Sequence, residues 1–355
     1  MNILKGEKSV ECVNETLIVL IPKIENPCEM ANFCPISLCR FVYKMVAKTL
    51  ANRLKKVLPE CISQNQSAFF PNHMIHDNVL ISHELVHYLR SSKNSPNKGC
   101  VIKLDMSKAY DRVEWSLIKN VMEKMGFSSV WVKKIMDCVC TVKYRVKCNM
   151  IQSDVIIPER GLRQGDPLSP YLFLFYMDAL PRMLIHAQET KMIKGIRASF
   201  NGPRINHLFF ADDALLFVRN KQSEVMAFSK ILESFERISG HRINFDKSMV
   251  YFSPNTLASQ RERLSSLLRM RVVPNLDAYL GLPIPVGKKK RDAFKSILDR
   301  TAYRINNWSK RLLSYGGKEI FIKSVLQAVP TYAFSVFFAP NGVLEELQSM
   351  ISRFW

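Results

Sequence analysis

Two adjacent carboxylates, Asp212 and Asp213, stand between two apolar, aromatic-rich runs at 205–210 and 215–218. The runs predict two strands joined by a turn at 211–213, although this turn lacks the Asn-Gly or Asp-Gly pair that a tight hairpin prefers. Acidic side chains at the tip of a buried hairpin repel each other and lose solvation unless a cation compensates them. A bound divalent metal ion would do so, because hard cations take carboxylate oxygens. A solvated polar turn is the alternative interpretation of the pair taken alone.

Further residues that could join this site lie at the ends of other predicted elements. Asp105 ends an apolar strand at 100–105, the loop 161–170 reads GLRQGDPLSP, and a predicted strand at 243–252 carries Lys247. Carboxylates from separate strands can hold two divalent ions about 3.5–4 Å apart, which activates an attacking oxygen and stabilises a leaving one. Lys247 is a candidate proton donor to a departing pyrophosphate. This set favours a polymerase-type site over a hydrolase without deciding between them.

The net charge of the chain is unusually positive. Its 355 residues carry 51 Lys and Arg against 31 Asp and Glu, a formal charge of +20, and the basic residues are spread along the whole sequence. A broad positive surface predicts nucleic acid as the partner, because neutralising phosphates releases counterions. An anionic membrane surface is the second candidate, but no basic amphipathic anchor stands out, and no apolar stretch is long enough to span a bilayer.

The cysteines indicate a reducing compartment. Nine occur at irregular spacing without a C-x-x-C pair, which predicts free thiols rather than a zinc ribbon or a disulfide framework. The N-terminus has no signal-peptide pattern. We therefore expect an intracellular protein, nuclear or cytoplasmic. The run KKKR at 288–291 could serve nuclear import, contact phosphate or form a solvated face.

Hydrophobic periodicity predicts both strands and helices. The predicted strands are 16–22, 100–105, 141–148 and 243–252, and the predicted helices are 41–58, 79–89, 113–125, 130–139, 171–186, 224–238, 291–308 and 318–329. Pro27 and Pro35 indicate a loop, residues 91–99 form a linker or loop, and 278–286 read as a small hairpin or turn. A change of character near Gly287 predicts a domain boundary.

Several longer stretches, taken together and in order, are more specific than any single motif. They are TLIVLIPKIENP (16–27), PISLCRFVYKMVAKTLANRLK (35–55), QSAFFP (66–71), VIKLDMSKAYDRVEW (101–115), GLRQGDPLSPYLF (161–173), HLFFADDALLF (207–217), SGHRINFDKS (239–248) and YLGLPIPVGKKK (279–290). With the helical tail that ends at Trp355, they cover the chain nearly end to end. On these stretches the chain resembles the reverse transcriptase domain of non-LTR (LINE-type) retrotransposons, most closely the plant members.

The resemblance implies an α+β chain with the right-hand polymerase fold. Fingers would occupy residues 1–99, and an antiparallel-sheet palm would occupy 100–287, with a fingers-side helical insertion around 113–160. A partial helical thumb would follow at 288–355. The implied activity is RNA-directed DNA polymerisation, which extends a primer 3′-OH by two-metal nucleotidyl transfer. The implied partners are an RNA template, a DNA primer and deoxynucleoside triphosphates, with Mg²⁺ as the ion and Mn²⁺ as an alternative.

The resemblance also implies roles for individual residues. By matching position, Asp105, Asp212 and Asp213 are the expected catalytic carboxylates and metal ligands. The main-chain carbonyl of Met106 would be a further ligand. Tyr110 would close under the incoming sugar and exclude a ribose 2′-OH, with a core tyrosine as the alternative.

Further expected contacts involve the nucleotide and the nucleic acid. Gln164 and Gly165 match the loop against which the incoming nucleotide and the template base pack. Lys247 matches a proposed general acid, with a solvated strand lysine as the alternative. The turn at 279–283 matches the segment that grips the primer end. The expected nucleic-acid contacts are Arg163, Tyr279, Gly281, Lys288, Lys289 and Lys290.

Two departures from the family pattern lie in the predicted fingers. Family members usually carry arginine before Pro-Ile-Ser-Leu, where this chain has Cys34, and Pro-Gly-Arg where it has Pro71-Asn72-His73. Basic residues at these positions contact template and triphosphate. Losing one charge-assisted phosphate contact costs roughly 1.5–3 kcal/mol, or roughly ten- to hundredfold in affinity. We therefore expect weakened nucleotide binding although the metal ligands match.

Three functions stay open at this level. The first is an active RNA-directed DNA polymerase. The second is a catalytically inactive fragment that still binds nucleic acid; neither the endonuclease nor the ribonuclease H or zinc-knuckle pattern of longer relatives occurs, so we expect a fragment or a degenerate copy. The third is other two-metal chemistry, such as a cyclase or nuclease, which leaves the basic thumb unexplained. The RNA copied, the primer, expression and the oligomeric state are not specified by the sequence.

Overall fold

The strands and helices follow the hydrophobic pattern over much of the described chain, with differences at two of the strands and two of the helices. The computed structural model describes residues 2–70, 73–91, 99–276, 278–284, 290–306 and 312–355. The strands are β1 (Glu15–Pro22), β2 (Phe33–Cys39), β3 (Cys100–Leu104), β4 (Lys143–Cys148), β5 (Ile151–Gln152), β6 (His207–Phe210), β7 (Asp213–Val218), β8 (Met249–Phe252), β9 (Arg271–Val272), β10 (Ala278–Tyr279) and β11 (Leu282–Pro283). The linker predicted at 91–99 lies mostly outside the described residues.

The helices lie between and after these strands, several of them in consecutive pairs. They are α1 (Asn2–Lys5), α2 (Phe41–Cys61), α3 (Ile75–Ser91), α4 (Trp115–Lys124), α5 (Ser129–Cys140), α6 (Ser169–Met177), α7 (Ala179–Glu189), α8 (Gln222–Ser239), α9 (Ala258–Leu268), α10 (Lys290–Asn306), α11 (Tyr315–Phe321), α12 (Ala328–Phe334) and α13 (Asn341–Phe354). A π-helical turn at Ile322–Leu326 joins α11 to α12, so the helix predicted at 318–329 is divided.

The central sheet carries the predicted carboxylates. Its strand order is β6-β7-β3-β8-β9, and all neighbours are antiparallel except β8 and β9, which are parallel. Residues Ala214 to Val218 of β7 are all buried, which explains their continuous apolar sequence. The sheet shares one hydrophobic core with α6 and α8. Because α6 is apolar all round and buried, it is a core helix rather than a surface helix.

A second sheet forms from the N-terminal part of the chain. Its order is β2-β1-β4-β5, with β1 antiparallel to β2 and parallel to β4. The loop predicted around Pro35 is wrong at that residue, because Pro35 lies in β2 and pairs with Leu20. The strand tolerates proline because β2 is at the edge of the sheet. No further strand lies on its outer side, so a missing N–H on that side costs no hydrogen bond between strands.

The helix predicted at 171–186 is also divided. It breaks at Asp178 into α6 and α7. The Asp178 carboxylate accepts a hydrogen bond from the backbone N–H of Ser63 (2.9 Å) and pairs with Arg182 (2.5 Å). A buried acidic side chain with two such partners explains why this position interrupts an otherwise apolar run.

The described residues fall into two compact units. The first consists of 1–75 and 92–273, and the second of 76–91 and 274–355. Most of α3 therefore belongs with the C-terminal helices, although the resemblance placed it in fingers at 1–99. The reason is packing, because Val79 of α3 is buried in one cluster with Leu282 and Phe294. The division into fingers, palm and thumb stays a prediction. No helix within the described ranges is long and apolar enough to cross a membrane.

Candidate active site

Strand register brings the three predicted carboxylates to one end of the central sheet. In the antiparallel pair of β3 and β7, Leu104 is opposite Ala214. Asp105 follows Leu104 and Asp213 precedes Ala214, so the same register places these two residues next to each other. In the hairpin, Phe210 pairs with Asp213. Asp212 is therefore the second residue of a two-residue turn, one residue shorter than predicted.

The backbone of Asp105 is held by the segment that precedes β8. Its N–H donates to Ser248 Oγ (3.0 Å), and its carbonyl accepts the N–H of Asn244 (2.8 Å). Met106, the next residue, is buried and forms a bridge with Ile243. Asp105 thus emerges from β3 at a point where the backbone is anchored on both sides.

The negative charges of Asp105, Asp212 and Asp213 are poorly compensated by nearby positive charge. The pKa of Asp212 is raised by burial of the carboxylate and by the charge of Asp105. The pKa of Asp213 is raised by burial and by the charges of Asp212 and Asp105, with Lys103 opposing them. Much of the surface of Asp212 and Asp213 is nevertheless exposed, so a ligand can reach both.

The turn that carries Asp212 has an unusual backbone. Ala211 has φ +54°, a conformation that favours glycine. A residue without glycine's freedom costs of order 1–3 kcal/mol in such a region and persists when its surroundings hold it. The side chain of Gln66 provides one such support, since Gln66 Oε1 accepts the N–H of Ala211 (3.0 Å). Sequence reasoning assigned no role to Gln66, although it begins the stretch QSAFFP.

Tyr110 lies close enough to the carboxylates to be influenced by the charge of Asp212, and its place under the incoming sugar stays a prediction. Its half-buried ring stacks on Phe173, with 4.7 Å between ring centroids and 15° between planes. Burial, followed by the charge of Asp212, raises the pKa of Tyr110 to about 12. The backbone carbonyl of Tyr110 accepts the N–H of Leu162 (2.8 Å), which joins it to the loop before Gln164.

Gln164 and Gly165 pack against the edge strand β2. The carbonyl of Gln164 accepts the N–H of Ser37 (2.9 Å), and its side-chain Oε1 accepts the thiol of Cys34 (3.3 Å). Gly165 has φ +97°, and a Cβ at this position would lie 3.3 Å from the carbonyl oxygen of Ser37. Glycine is needed here for both its backbone freedom and its small size.

Arg163 is placed differently from the sequence prediction. Its side chain is only 4% exposed and forms an ion pair with Asp166 (2.9 Å). The guanidinium also donates to Asn14 Oδ1 (2.6 Å) and to the carbonyl of Cys138 (3.0 Å). These internal partners correct the expected role of Arg163 as a nucleic-acid contact. The guanidinium instead joins the loop 163–166 to the N-terminal sheet and α5.

Lys247 is exposed, but the strand predicted to carry it is shorter than expected. β8 begins at Met249, and Lys247 lies in a turn. The Asn244 side-chain oxygen accepts the N–H of Lys247 (3.2 Å), and the Asn244 carbonyl accepts the N–H of Ser248 (2.8 Å). This local bonding by Asn244 competes with the sheet ladder and explains the turn.

The remaining predicted contacts belong to the second unit. Tyr279 lies in β10 and is 1% exposed, so its ring is buried. Leu280 and Gly281 form the turn between β10 and β11, both with positive φ, and the carbonyl of Leu280 accepts the hydroxyl of Tyr332 (3.0 Å). Lys288 and Lys289, and the side chain of Lys290, lie outside the described residues.

The family follows from a comparison with known proteins. Residues 21–284 match the family described as reverse transcriptase (RNA-dependent DNA polymerase). The chain belongs to this family. The resemblance to non-LTR reverse transcriptases is confirmed as well, since this reverse transcriptase is similar to proteins of transposable elements.

Two of these relatives are the Transposon TX1 uncharacterized 149 kDa protein of Xenopus laevis and the Pol polyprotein of element R2DM of Drosophila melanogaster. The first is 29% identical over 69% of this chain and 18% of its own length. The second is 29% identical over 64% of this chain and 20% of its own length. An Arabidopsis thaliana protein, AtMg01250, is 58% identical over 59 residues, or 17% of this chain and 48% of its own length. The chain therefore spans half or less of these relatives.

Solved structures confirm the α+β right-hand polymerase fold. Telomerase from Candida albicans, solved in complex with a TWJ fragment of telomeric RNA, has a TM-score of 0.53 over 96% of this chain and 55% of its own. Telomerase from Candida tropicalis, solved with the same kind of fragment, has a TM-score of 0.54 over 91% and 53%. Both are 14% identical to this reverse transcriptase, so they show the fold alone.

Membership in this family implies binding of a nucleic-acid template and dependence on a divalent metal. The donor set fits such an ion, because Asp105, Asp212 and Asp213 are hard oxygen ligands whose charges repel one another. Across the described ranges, no group of three or more His, Cys, Asp or Glu side chains is already close enough to hold an ion. The carboxylates interact electrostatically, and a bound cation would relieve their repulsion.

Proposed function

We propose that this reverse transcriptase chain is an RNA-directed DNA polymerase that extends a primer 3′-OH with deoxynucleoside triphosphates on an RNA template. The observation that carries the proposal is the register of β3 and β7, in which Leu104 opposite Ala214 leaves Asp105 beside Asp213. Carboxylates from two strands at one sheet end supply the oxygen ligands that two-metal nucleotidyl transfer uses.

Mg²⁺ is the proposed ion, with Mn²⁺ as an alternative. Asp105, Asp212 and Asp213 would hold it, with the carbonyl of Met106 as a further proposed ligand. When bound, the metal would activate the attacking oxygen and stabilise the leaving one. The chain's own contribution is to bring three carboxylates to the same end of the central sheet.

Other residues receive positioning and proton-transfer roles in this proposal. Tyr110, stacked on Phe173, would form the floor under the incoming sugar. Gln164 and Gly165 would support the new base pair. The exposed Lys247 would donate a proton to the departing pyrophosphate.

Primer contacts complete the proposal. We infer that the turn at Gly281 and the basic residues Lys288, Lys289 and Lys290 contact the primer side of the duplex. The burial of Tyr279 supports a role in shaping that turn rather than a direct contact. A nuclear or cytoplasmic location is proposed on the sequence alone, including the basic run at 288–291.

Primer extension tests this function. The purified chain is given an RNA template, an annealed DNA primer, deoxynucleotides and Mg²⁺, beside Asp212→Asn and a matched control, Asp154→Asn, which changes an exposed aspartate away from the carboxylate group. We expect extension by the parent and by Asp154→Asn only, and its loss after chelation of the metal. Equal extension by Asp212→Asn would sink the site assignment. RNA binding without any extension would identify an inactive fragment.

A further inference from the structure

The buried side chain of Gln66 grips the backbone of the turn that carries Asp212. Gln66 is 1% exposed. Its Oε1 accepts the N–H of Ala211 (3.0 Å) and the N–H of Ala68 (3.1 Å), and its Nε2 donates to the carbonyl of Ala211 (3.4 Å). One amide side chain thus meets both polar groups of a single backbone residue, much as a neighbouring strand would.

The segment around Gln66 is itself attached to the hairpin. The carbonyl of Asn65 accepts the N–H of Phe209 (3.2 Å), and the N–H of Ser67 donates to the carbonyl of Phe209 (3.1 Å). Gln66 and Phe209 thereby form a parallel bridge along the outer edge of β6. This backbone attachment fixes the position of the Gln66 Cα. The side chain is then long enough to reach Ala211 in the turn, two residues after Phe209.

The turn depends on such support. A two-residue hairpin loop normally uses glycine or asparagine at positions with positive φ, whereas this loop has Ala211 at φ +54°. Asp212 follows directly, so any relaxation of Ala211 rotates the peptide group that leads into Asp212. The carboxylate of Asp212 would then shift relative to Asp105 and Asp213.

We propose that Gln66 is a positioning residue for the carboxylate of Asp212, holding Ala211 in its left-handed conformation through paired backbone hydrogen bonds. The expected effect on kcat rests on the proposed function, whereas the expected effect on the conformation of the turn rests on the hydrogen-bond geometry alone. Gln66 touches no reacting atom in this role. It fixes the position of the Asp212 carboxylate, which is the group proposed to act in the reaction.

Two variants separate the accepted bonds from the donated bond. Gln66→Ala removes all three hydrogen bonds. Gln66→Glu keeps an oxygen acceptor for the amides of Ala211 and Ala68, replaces the donor to the carbonyl of Ala211 by a second oxygen, and adds a buried negative charge that opposes full recovery. We expect Gln66→Ala to lower kcat for extension roughly ten- to hundredfold with little change in KM, since displacements of about 1 Å in an active site have effects of that order. Gln66→Glu should recover part of that loss.

The matched control is Asn220→Ala, which also removes a buried amide side chain. Asn220 lies just after the far end of β7 from Asp213 and donates to Thr256 Oγ1 (2.6 Å). Its loss should lower stability, as the loss of Gln66 does, without moving the turn. A kcat effect common to both variants would mean general destabilisation and would overturn the proposal.

Amide hydrogen exchange supplies a readout that needs no activity. In the parent, the N–H of Ala211 is bonded to Gln66, so a peptide covering 209–214 should be protected. We expect faster exchange of this peptide in Gln66→Ala, partial protection in Gln66→Glu and parental exchange in Asn220→Ala. Unchanged exchange in Gln66→Ala would overturn the inference. If the parent is active, faster exchange in Gln66→Ala together with a parental kcat would overturn it as well. If the parent itself does not extend primers, the proposed function fails while the exchange result still decides whether Gln66 holds the turn.

Discussion

The thiol of Cys34 donates a hydrogen bond to Oε1 of Gln164, with 3.3 Å between sulfur and oxygen. The two residues are 130 positions apart in the chain, and β2 brings them together. Cys34 occupies the position where family members usually carry arginine, and Gln164 lies in the loop expected to support the incoming nucleotide. One of the two departures from the family pattern therefore lies directly beside the proposed nucleotide site.

Replacing this thiol with a cation should strengthen nucleotide binding. We expect Cys34→Arg to lower the KM for deoxynucleoside triphosphates by about tenfold, the effect of one charge-assisted phosphate contact of about 1.5 kcal/mol. Steady-state primer extension at varied nucleotide concentration measures it. Cys34→Ser is the matched control, since it keeps a donor for Gln164 without adding charge. A parental KM in Cys34→Arg would show that this position does not face the triphosphate.

Tyr110 should discriminate against ribonucleotides by the bulk of its ring. Because the ring is held by stacking on Phe173, Tyr110→Phe should keep both the stack and the discrimination. Tyr110→Ala should raise the relative kcat/KM for ribonucleotides by roughly tenfold or more, the order expected when a steric contact is removed. Competing ribo- and deoxynucleotide incorporation measures the ratio. Loss of discrimination in Tyr110→Phe would contradict a steric role and indicate the hydroxyl.

The Arg163 ion pair should matter for stability rather than for RNA affinity. Removing one member of a buried pair leaves an uncompensated charge and typically costs about 3–5 kcal/mol. We therefore expect Arg163→Ala to lower the free energy of unfolding by about that amount, measured by urea denaturation. The salt dependence of RNA binding, measured while the variant is still folded, should stay parental. Arg204→Ala, at an exposed arginine, serves as control for stability. A fully stable Arg163→Ala with weakened RNA binding would restore the original prediction.

His241 should make the fold sensitive to acid. Its buried ring packs among Phe173, Tyr176 and Phe235, and neither ring nitrogen has a hydrogen-bond partner in the described part of the chain. Burial, with the positive charge of Arg112, lowers its pKa from 6.5 to about 4. Between these values the unfolded chain binds a proton that the folded chain does not, so stability present above pH 6.5 is lost as the pH falls.

The expected slope is up to about 1.4 kcal/mol per pH unit for this histidine. Both His241→Phe and His241→Gln should remove the pH slope that His241 contributes. Only His241→Phe should also match or exceed parental stability at pH 7.5, because a phenylalanine ring packs among the surrounding aromatic rings without burying a polar group. Urea denaturation between pH 7.5 and pH 4.5 tests this. His207, whose pKa burial lowers to about 3, leaves a remaining slope in all three proteins. A parental slope in both variants would exclude His241 as a source of acid sensitivity.

The amino-acid sequence by itself determined the local elements and the identity of the acidic group. The apolar runs on either side of Asp212 and Asp213 formed a hairpin, and the strand ending at Asp105 joined it, because alternation and apolar runs act over a few residues. The order of the longer motifs also predicted the family and the right-hand fold, both of which are confirmed.

Only the tertiary structure decided which distant residues became partners. Arg163 could have been exposed or buried, and its partner Asn14 lies 149 residues away, beyond the reach of any local pattern. The same holds for Gln66, whose contact with Ala211 spans 145 residues and depends on the bridge to Phe209. Most of α3 belongs to the C-terminal unit because Val79 packs against apolar residues of that unit. Such choices follow from strand register and from burial of complementary surfaces, which are set by the whole folded chain rather than by the composition of a segment.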